Sequence, residues 1–325
     1  MHSLDTVRDT RVRSSAIRSQ RVVGRGAPRN VTKLAYSVVA IFGPTASGKS
    51  AVAHALAARI ATEVVSADAL QVYSGMPILT NQSPEPTRLT SFRELTEEMS
   101  VGEYASLAHS EIDELIAANE HVVVAGGTGL YLRAALADLA IPAPSDPEHR
   151  AALERGYDAD PAAAHARLAE IDPAAAQAVH VNDRRRVVRA LELAELGDSL
   201  VPASDELWSP SMRHPTLVVG LEVSPDVLDR RIRERTDLMV ARGAVAEARS
   251  ALSGPISKTA AKALGLTELT SLSPDEAAER LVVRTRRYAA YQRKWMRRIP
   301  GIALVDADRA PEEVVDDVLD LARTR

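Results

Sequence analysis

Residues 43–50 read Gly-Pro-Thr-Ala-Ser-Gly-Lys-Ser, a complete match to the phosphate-loop pattern G-x-x-x-x-G-K-[ST]. An apolar run, Ser37 to Phe42, leads in, and an Ala-rich helical run, Ala51 to Ile60, leads out. That order of strand, loop and helix gathers backbone N–H groups and a helix N-terminus around one anion-sized volume. Lys49 adds a point charge for a terminal phosphate, and the Ser50 hydroxyl suits magnesium. The loop therefore calls for a diphosphate or triphosphate ligand.

Three further groups could do chemistry. Asp68 follows an apolar run and reads either as a general base or magnesium-site carboxylate, or as a turn or helix-capping aspartate. Gly126-Gly127-Thr128-Gly129 ends another apolar run, so the backbone can approach a ligand there, with Thr128 either facing that ligand or capping a helix. No acid ends that strand, so the aspartate that usually helps hold magnesium against a γ-phosphate is missing. On a helix from Asp183, Arg185 and Arg189 share a face, and Arg186 joins Arg189 one turn on. Such a row can clamp phosphate oxygens or line a solvated face paired with Glu192 and Glu195. A second basic run, Arg284 to Arg298, interleaves Arg and Lys with Tyr288, Tyr291 and Trp295, a combination suited to RNA. The three-and-four spacing of those rings predicts that they turn mostly inward while the basic residues face a polyanion.

The elements that position these groups alternate. Strands are expected near 37–42, 63–66, 121–125, 217–223 and 302–306, with helices near 51–60, 101–119, 225–252 and 274–297. Strands written as continuous apolar runs between helices predict an α/β fold, a phosphate-loop parallel sheet with helices on both faces. Residues 142–205 carry only helical patterning between two Pro-rich connectors, which predicts a helical insertion into a core formed by 34–141 and 206–325. Residues 1–33 are basic and lack apolar periodicity, so a disordered tail is expected.

The 325 residues contain no cysteine, which excludes disulfides, thiolate metal sites and a cysteine nucleophile. No apolar run approaches the roughly 20 residues that span a bilayer, and no signal segment follows the start. An intracellular, cytoplasmic protein is therefore expected. The net charge of −4 argues against indiscriminate nucleic-acid binding and leaves room for a local basic face.

Several segments in order and spacing resemble the tRNA dimethylallyltransferase family. They are Gly43 to Ser50, Ser66-Ala67-Asp68 with Gln71 to Met76, Gly126 to Tyr131, Ser145 to Arg150, His180 to Arg189, Lys262 to Gly265, and Thr285 to Trp295. The resemblance implies prenyl transfer from dimethylallyl diphosphate to the exocyclic amine of the adenosine beside the tRNA anticodon. It implies catalytic roles for Asp68, Thr45 and Thr128. It implies a diphosphate site made by Gly43, Pro44, Thr45, Ala46, Ser47, Gly48, Lys49, Ser50, Arg186 and Arg189, with magnesium on Ser50. RNA contacts are implied for Asp68, Ala69, Leu70, Gln71, Thr128, Arg150, Arg185, Arg186, Arg189, Arg287 and Arg293. A monomer acting on the anticodon stem-loop is expected. The chain departs from the family pattern at Ala69, from Pro77 to Ser83, at Thr87-Arg88 and from Ala263 to Leu266. Three other readings stay open: prenyl transfer to free adenylate, a small-molecule phosphate-loop kinase that Lys49 and Ser50 permit, and a paralogue impaired in turnover, which the departures from Pro77 to Ser83 motivate.

Overall fold

A computed structural model describes residues 34–142, 146–201 and 206–323. The expected basic tail, residues 1–33, lies outside the described residues, as do the central parts of both connectors. The chain opens with β1 (Val38–Phe42), the phosphate loop and α1 (Lys49–Arg59), then β2 (Val64–Ser66) and a two-residue β3 (Thr87–Arg88). Next come α2 (Val101–Asn119), β4 (Val122–Gly126) and α3 (Gly129–Leu136). Ser100 starts α2 by accepting the Glu103 amide at 3.1 Å, as its residue type invites. After the glycine turn that ends β4, the eight residues of α3 follow at once, so the turn is the strand-to-helix turn that the sequence allowed.

Four helices form the insertion: α4 (Pro147–Ala159), α5 (Pro161–Ile171), α6 (Pro173–Ala178) and α7 (Arg184–Glu195). Asp146, Asp160 and Asp172 each precede a proline, and each side chain accepts backbone amides of the turn it starts. Proline lacks only an N–H that a first turn leaves unbonded anyway, so Asp-Pro is a start signal written three times. The insertion has its own apolar centre, made by residues such as Leu153, Leu168, Val187 and Leu191.

The chain then returns through β5 (Thr216–Glu222), α8 (Pro225–Ala241), α9 (Ala244–Ala251), α10 (Glu268–Ser271), α11 (Pro274–Met296), β6 (Ala303–Asp306) and α12 (Pro311–Arg323). The single helix expected over 225–252 is two helices, because Gly243 adopts φ +100° and turns the chain between them. All six strands are parallel, in the order β3-β2-β4-β1-β5-β6. Alternation along the central strands divides the core into two layers. Val38, Ala40, Phe42, Val122 and Val124 face one layer with α2, while Val39, Ile41 and Val123 face the other with α1 and α12. Burial on both faces is why these strands read as unbroken apolar runs. The carboxyl ends of β1, β2 and β4 therefore open onto one crevice, where parallel α/β sheets bind ligands. Among the described residues, no helix is long and apolar enough to cross a membrane.

Candidate active site

The loop after β1 takes its shape from two left-handed residues, Ala46 at φ +65° and Gly48 at φ +88°. No side chain caps the N-terminus of α1, so its first-turn amides are left to face a ligand. The Ser50 hydroxyl, half-buried at that terminus, makes no side-chain hydrogen bond among the described residues. The Lys49 ammonium reaches back to the Pro44 carbonyl at 3.3 Å. Burial lowers its pKa to about 8, opposed by the charge of Asp68 and reinforced by that of Arg235.

Two residues that sequence reasoning missed complete the loop. Arg235 of α8 donates to the Thr45 hydroxyl at 2.6 Å, and burial depresses its pKa while Asp68 holds it up. Gln292 of α11, only 2 % exposed, accepts the Thr45 amide at 2.7 Å and donates to the Gly127 carbonyl at 2.8 Å. One amide side chain thus ties the phosphate loop to the turn after β4. A Cβ at Gly127 would overlap that side chain, and one at Gly129 would overlap the Trp295 ring. Both glycines are explained by close approach, not by unusual backbone angles. A signal for Gln292 does exist in the sequence: it is an amide side chain in the buried stripe Leu281, Thr285, Ala289, Gln292 and Met296.

Asp68 sits at the end of β2, half-buried, and one of its oxygens accepts the Leu70 amide at 3.0 Å. Its charge is felt by Lys49, Arg235, Tyr104, Tyr131 and Tyr288, so it stands among the loop cations and three phenols. Thr128 occupies the start of α3 without capping it. Its hydroxyl turns instead to the Ala69 amide at 3.4 Å, with Tyr288 close by. Burial raises the Tyr288 and Tyr131 pKa values above the usual phenol range, so both are neutral hydroxyls at physiological pH. The Gln71 side chain is knitted into its own loop, donating to the Thr80 and Asn81 carbonyls and accepting from Ser66. Ala69 and Leu70 lie beside it, half-buried.

The insertion arginines have different surroundings. Arg150 and Arg189 converge on Glu192, a carboxylate only 1 % exposed, at 3.5 and 2.6 Å. Arg184 pairs with Asp158, whereas Arg185 and Arg186 are exposed. Arg186 is exposed and Arg189 pairs with Glu192, whereas Arg235 hydrogen-bonds the phosphate loop. Arg185 approaches Lys262 of the core closely enough to lower its pKa, after burial, and Glu154 bonds Lys258 at 3.6 Å. On α11, Arg287 is exposed and Arg293 faces a cleft beside Pro44, Asp306 and Asp308. The rings of that helix correct an expectation: Tyr291 stands 56 % exposed, and the inward stripe consists of smaller residues with Gln292.

A parallel α/β sheet with an uncapped phosphate loop, two half-buried cations and a nearby carboxylate is an arrangement of the phosphate-loop class. The chain belongs to the IPP transferase family, whose family model matches residues 71–299. A tRNA dimethylallyltransferase of Salinispora arenicola is 39 % identical over 88 % of this chain and 86 % of its own length. That of Mycobacterium tuberculosis is 37 % identical over 88 % of this chain and 98 % of its own. Among solved structures, the full-length tRNA isopentenylpyrophosphate transferase of Bacillus halodurans aligns with a TM-score of 0.62 at 31 % identity. That alignment covers 88 % of this chain and 95 % of that one. A eukaryotic dimethylallyltransferase acting on tRNA aligns with a TM-score of 0.68 at 25 % identity, over 83 % of this chain and 73 % of that one.

Proposed function

We propose that this protein transfers a dimethylallyl group from dimethylallyl diphosphate to the exocyclic amine of the adenosine adjacent to the tRNA anticodon, releasing diphosphate. The observation that carries the reading is the placement of Asp68 near the loop cations Lys49 and Arg235. The cations suit a leaving anion, and the carboxylate suits a nucleophile that must lose a proton.

The residues divide the work accordingly. Loop amides, Lys49 and Arg235 hold the diphosphate and stabilise the charge that grows as the allyl carbon–oxygen bond breaks. The adenine nitrogen forms the new bond to that carbon, the diphosphate leaves with the electron pair, and Asp68 takes the amine proton. A base so placed contributes roughly 10²–10⁴-fold. Thr128 and Tyr288 present neutral hydroxyls beside Asp68 and orient the acceptor. Magnesium fits the donor set, since Ser50 offers an unengaged hydroxyl and this ion takes most of its other ligands from phosphate and water. When bound it neutralises the leaving group. β4 ends in Gly126-Gly127 without an acid, which favours diphosphate departure over γ-phosphate transfer. A target base must leave the anticodon stack to reach Asp68. The enzyme in this reading is a cytoplasmic monomer.

The test is transfer of label from dimethylallyl diphosphate to an unmodified anticodon stem-loop, with AMP as the competing acceptor. Label in RNA alone supports the proposal, and label in AMP alone defeats it. Asp68→Ala is expected to lower turnover about 10²–10⁴-fold while diphosphate affinity persists. Equal loss of both would make Asp68 a magnesium-site residue instead.

A further inference from the structure

The rings of α11 lead outward from the site. Tyr288 lies near Thr128 inside it, and the Trp295 ring lies over Gly129 just beyond. Trp208, in a short 3-10 turn on the segment returning from the insertion, packs on Trp295 with centroids 4.9 Å apart, and the Arg298 guanidinium sits 4.0 Å from the Trp208 centroid. Tyr291 closes the series edge-on to Trp295 at 6.5 Å and 69°. Tyr73, Tyr104, Tyr131 and Tyr157 are buried, whereas 56 % of Tyr291 faces solvent. It contributes little to the core, and an exposed ring fixed by a neighbouring indole is a preformed surface for another flat group.

The charge around it decides which group. Residues 284–298 include seven Arg or Lys and no Asp or Glu. Arg284 pairs with Glu268 and Arg286 with Asp229. Arg287, Arg293, Lys294, Arg297 and Arg298 have no carboxylate partner among the described residues. Arg287 and Lys294 stand four residues before and three after Tyr291, hence beside it on the helix surface. A ring flanked by unpaired cations matches a polyanion that carries flat faces, which is a single-stranded nucleic acid.

Position narrows this further. Gln292, which grips the phosphate loop, directly follows Tyr291, about 100° of helix rotation away. Tyr291 therefore lies on the flank away from the diphosphate. Tyr288, within reach of Asp68, is three residues and about 4.5 Å back along the axis, so a strand crossing here can present successive nucleotides to the two. We propose that Tyr291 is the stacking platform for the nucleobase next to the acceptor adenosine, with Arg287 and Lys294 holding the phosphates on either side. This rests on the RNA-acceptor reading above.

The test compares full-length parent, Tyr291→Ala and Tyr291→Phe for binding of an anticodon stem-loop carrying 2-aminopurine beside the target adenosine. Loss of one base–aromatic stack is expected to weaken RNA binding roughly 5- to 150-fold in Tyr291→Ala. Quenching of the 2-aminopurine by the parent should vanish in that variant, and Tyr291→Phe should retain both. Affinity for dimethylallyl diphosphate and the melting temperature should not change. Parent-like RNA binding and quenching by Tyr291→Ala overturn the proposal, as does equal impairment of Tyr291→Phe. If the parent prenylates the stem-loop and Tyr291→Ala binds it equally well, the stacking role alone is lost. If the parent binds it through Tyr291 yet transfers no label, the assigned reaction is lost and the platform stands.

Discussion

Replacing Gln292 by Leu removes two hydrogen bonds while nearly conserving volume, so the change in packing is small. The Thr45 amide and the Gly127 carbonyl, now bonded at 2.7 and 2.8 Å to a residue 2 % exposed, would both be left buried and unpaired. Each orphaned group costs about 1–3 kcal/mol, giving about 2–6 kcal/mol for the pair. Against a typical total stability of about 5–15 kcal/mol this is a large fraction. Part of the loss falls on the ligand site, because the loop is no longer tied to the turn after β4. Urea unfolding should report the stability loss, and calorimetry with inorganic diphosphate should report at least a tenfold weaker Kd, about 1.4 kcal/mol. An unfolding midpoint and a diphosphate Kd both equal to the parent's would refute the assignment of Gln292 as the tie.

Two further outcomes follow from the loop cations. Arg235→Met removes a charge-assisted bond to Thr45 and one of the two cations, so diphosphate affinity should fall by roughly 10- to 150-fold, the equivalent of about 1.5–3 kcal/mol; unchanged calorimetric affinity would show that Arg235 serves the fold alone. Lys49, held at about 8 chiefly by burial, should bind diphosphate fully below that pH and up to tenfold more weakly per unit above it, as calorimetry from pH 6.5 to 9.5 would show. Its effect on folding has the opposite sign. Between about 8 and the ordinary value of 10.5 the unfolded chain binds more protons, so the Lys49 contribution to stability rises with pH.

What could be read in the sequence was what neighbouring residues encode. The phosphate loop is eight consecutive residues, and the central strands announce themselves because both faces are buried. Ser100 and the three Asp-Pro pairs mark helix starts by chemistry local to each turn. β3 escaped notice because two partly buried residues, Thr87 and Arg88, carry no periodicity. Gly243 reads as a tolerated helix residue until its left-handed backbone is seen. Arg235 was one of several arginines on α8, and its partner lies 190 residues away. Tyr291 misled because three-and-four spacing fits either side of a helix surface. Its neighbour Gln292 takes the buried position, where two backbone groups need a partner more than the core needs a ring.

The tie between Thr45 and Gln292 spans 247 residues of sequence. A ribosome adding roughly 5–20 residues per second takes about 12–50 seconds to cover that distance. For that interval the nascent chain carries a full phosphate-loop sequence whose Thr45 amide has no native partner. Arg235 arrives only 57 residues before the end of the span, the difference between the 247 and 190 that separate each from the loop. The site is therefore assembled late and from both ends of the chain, and a product truncated before α11 is expected to lack the finished site.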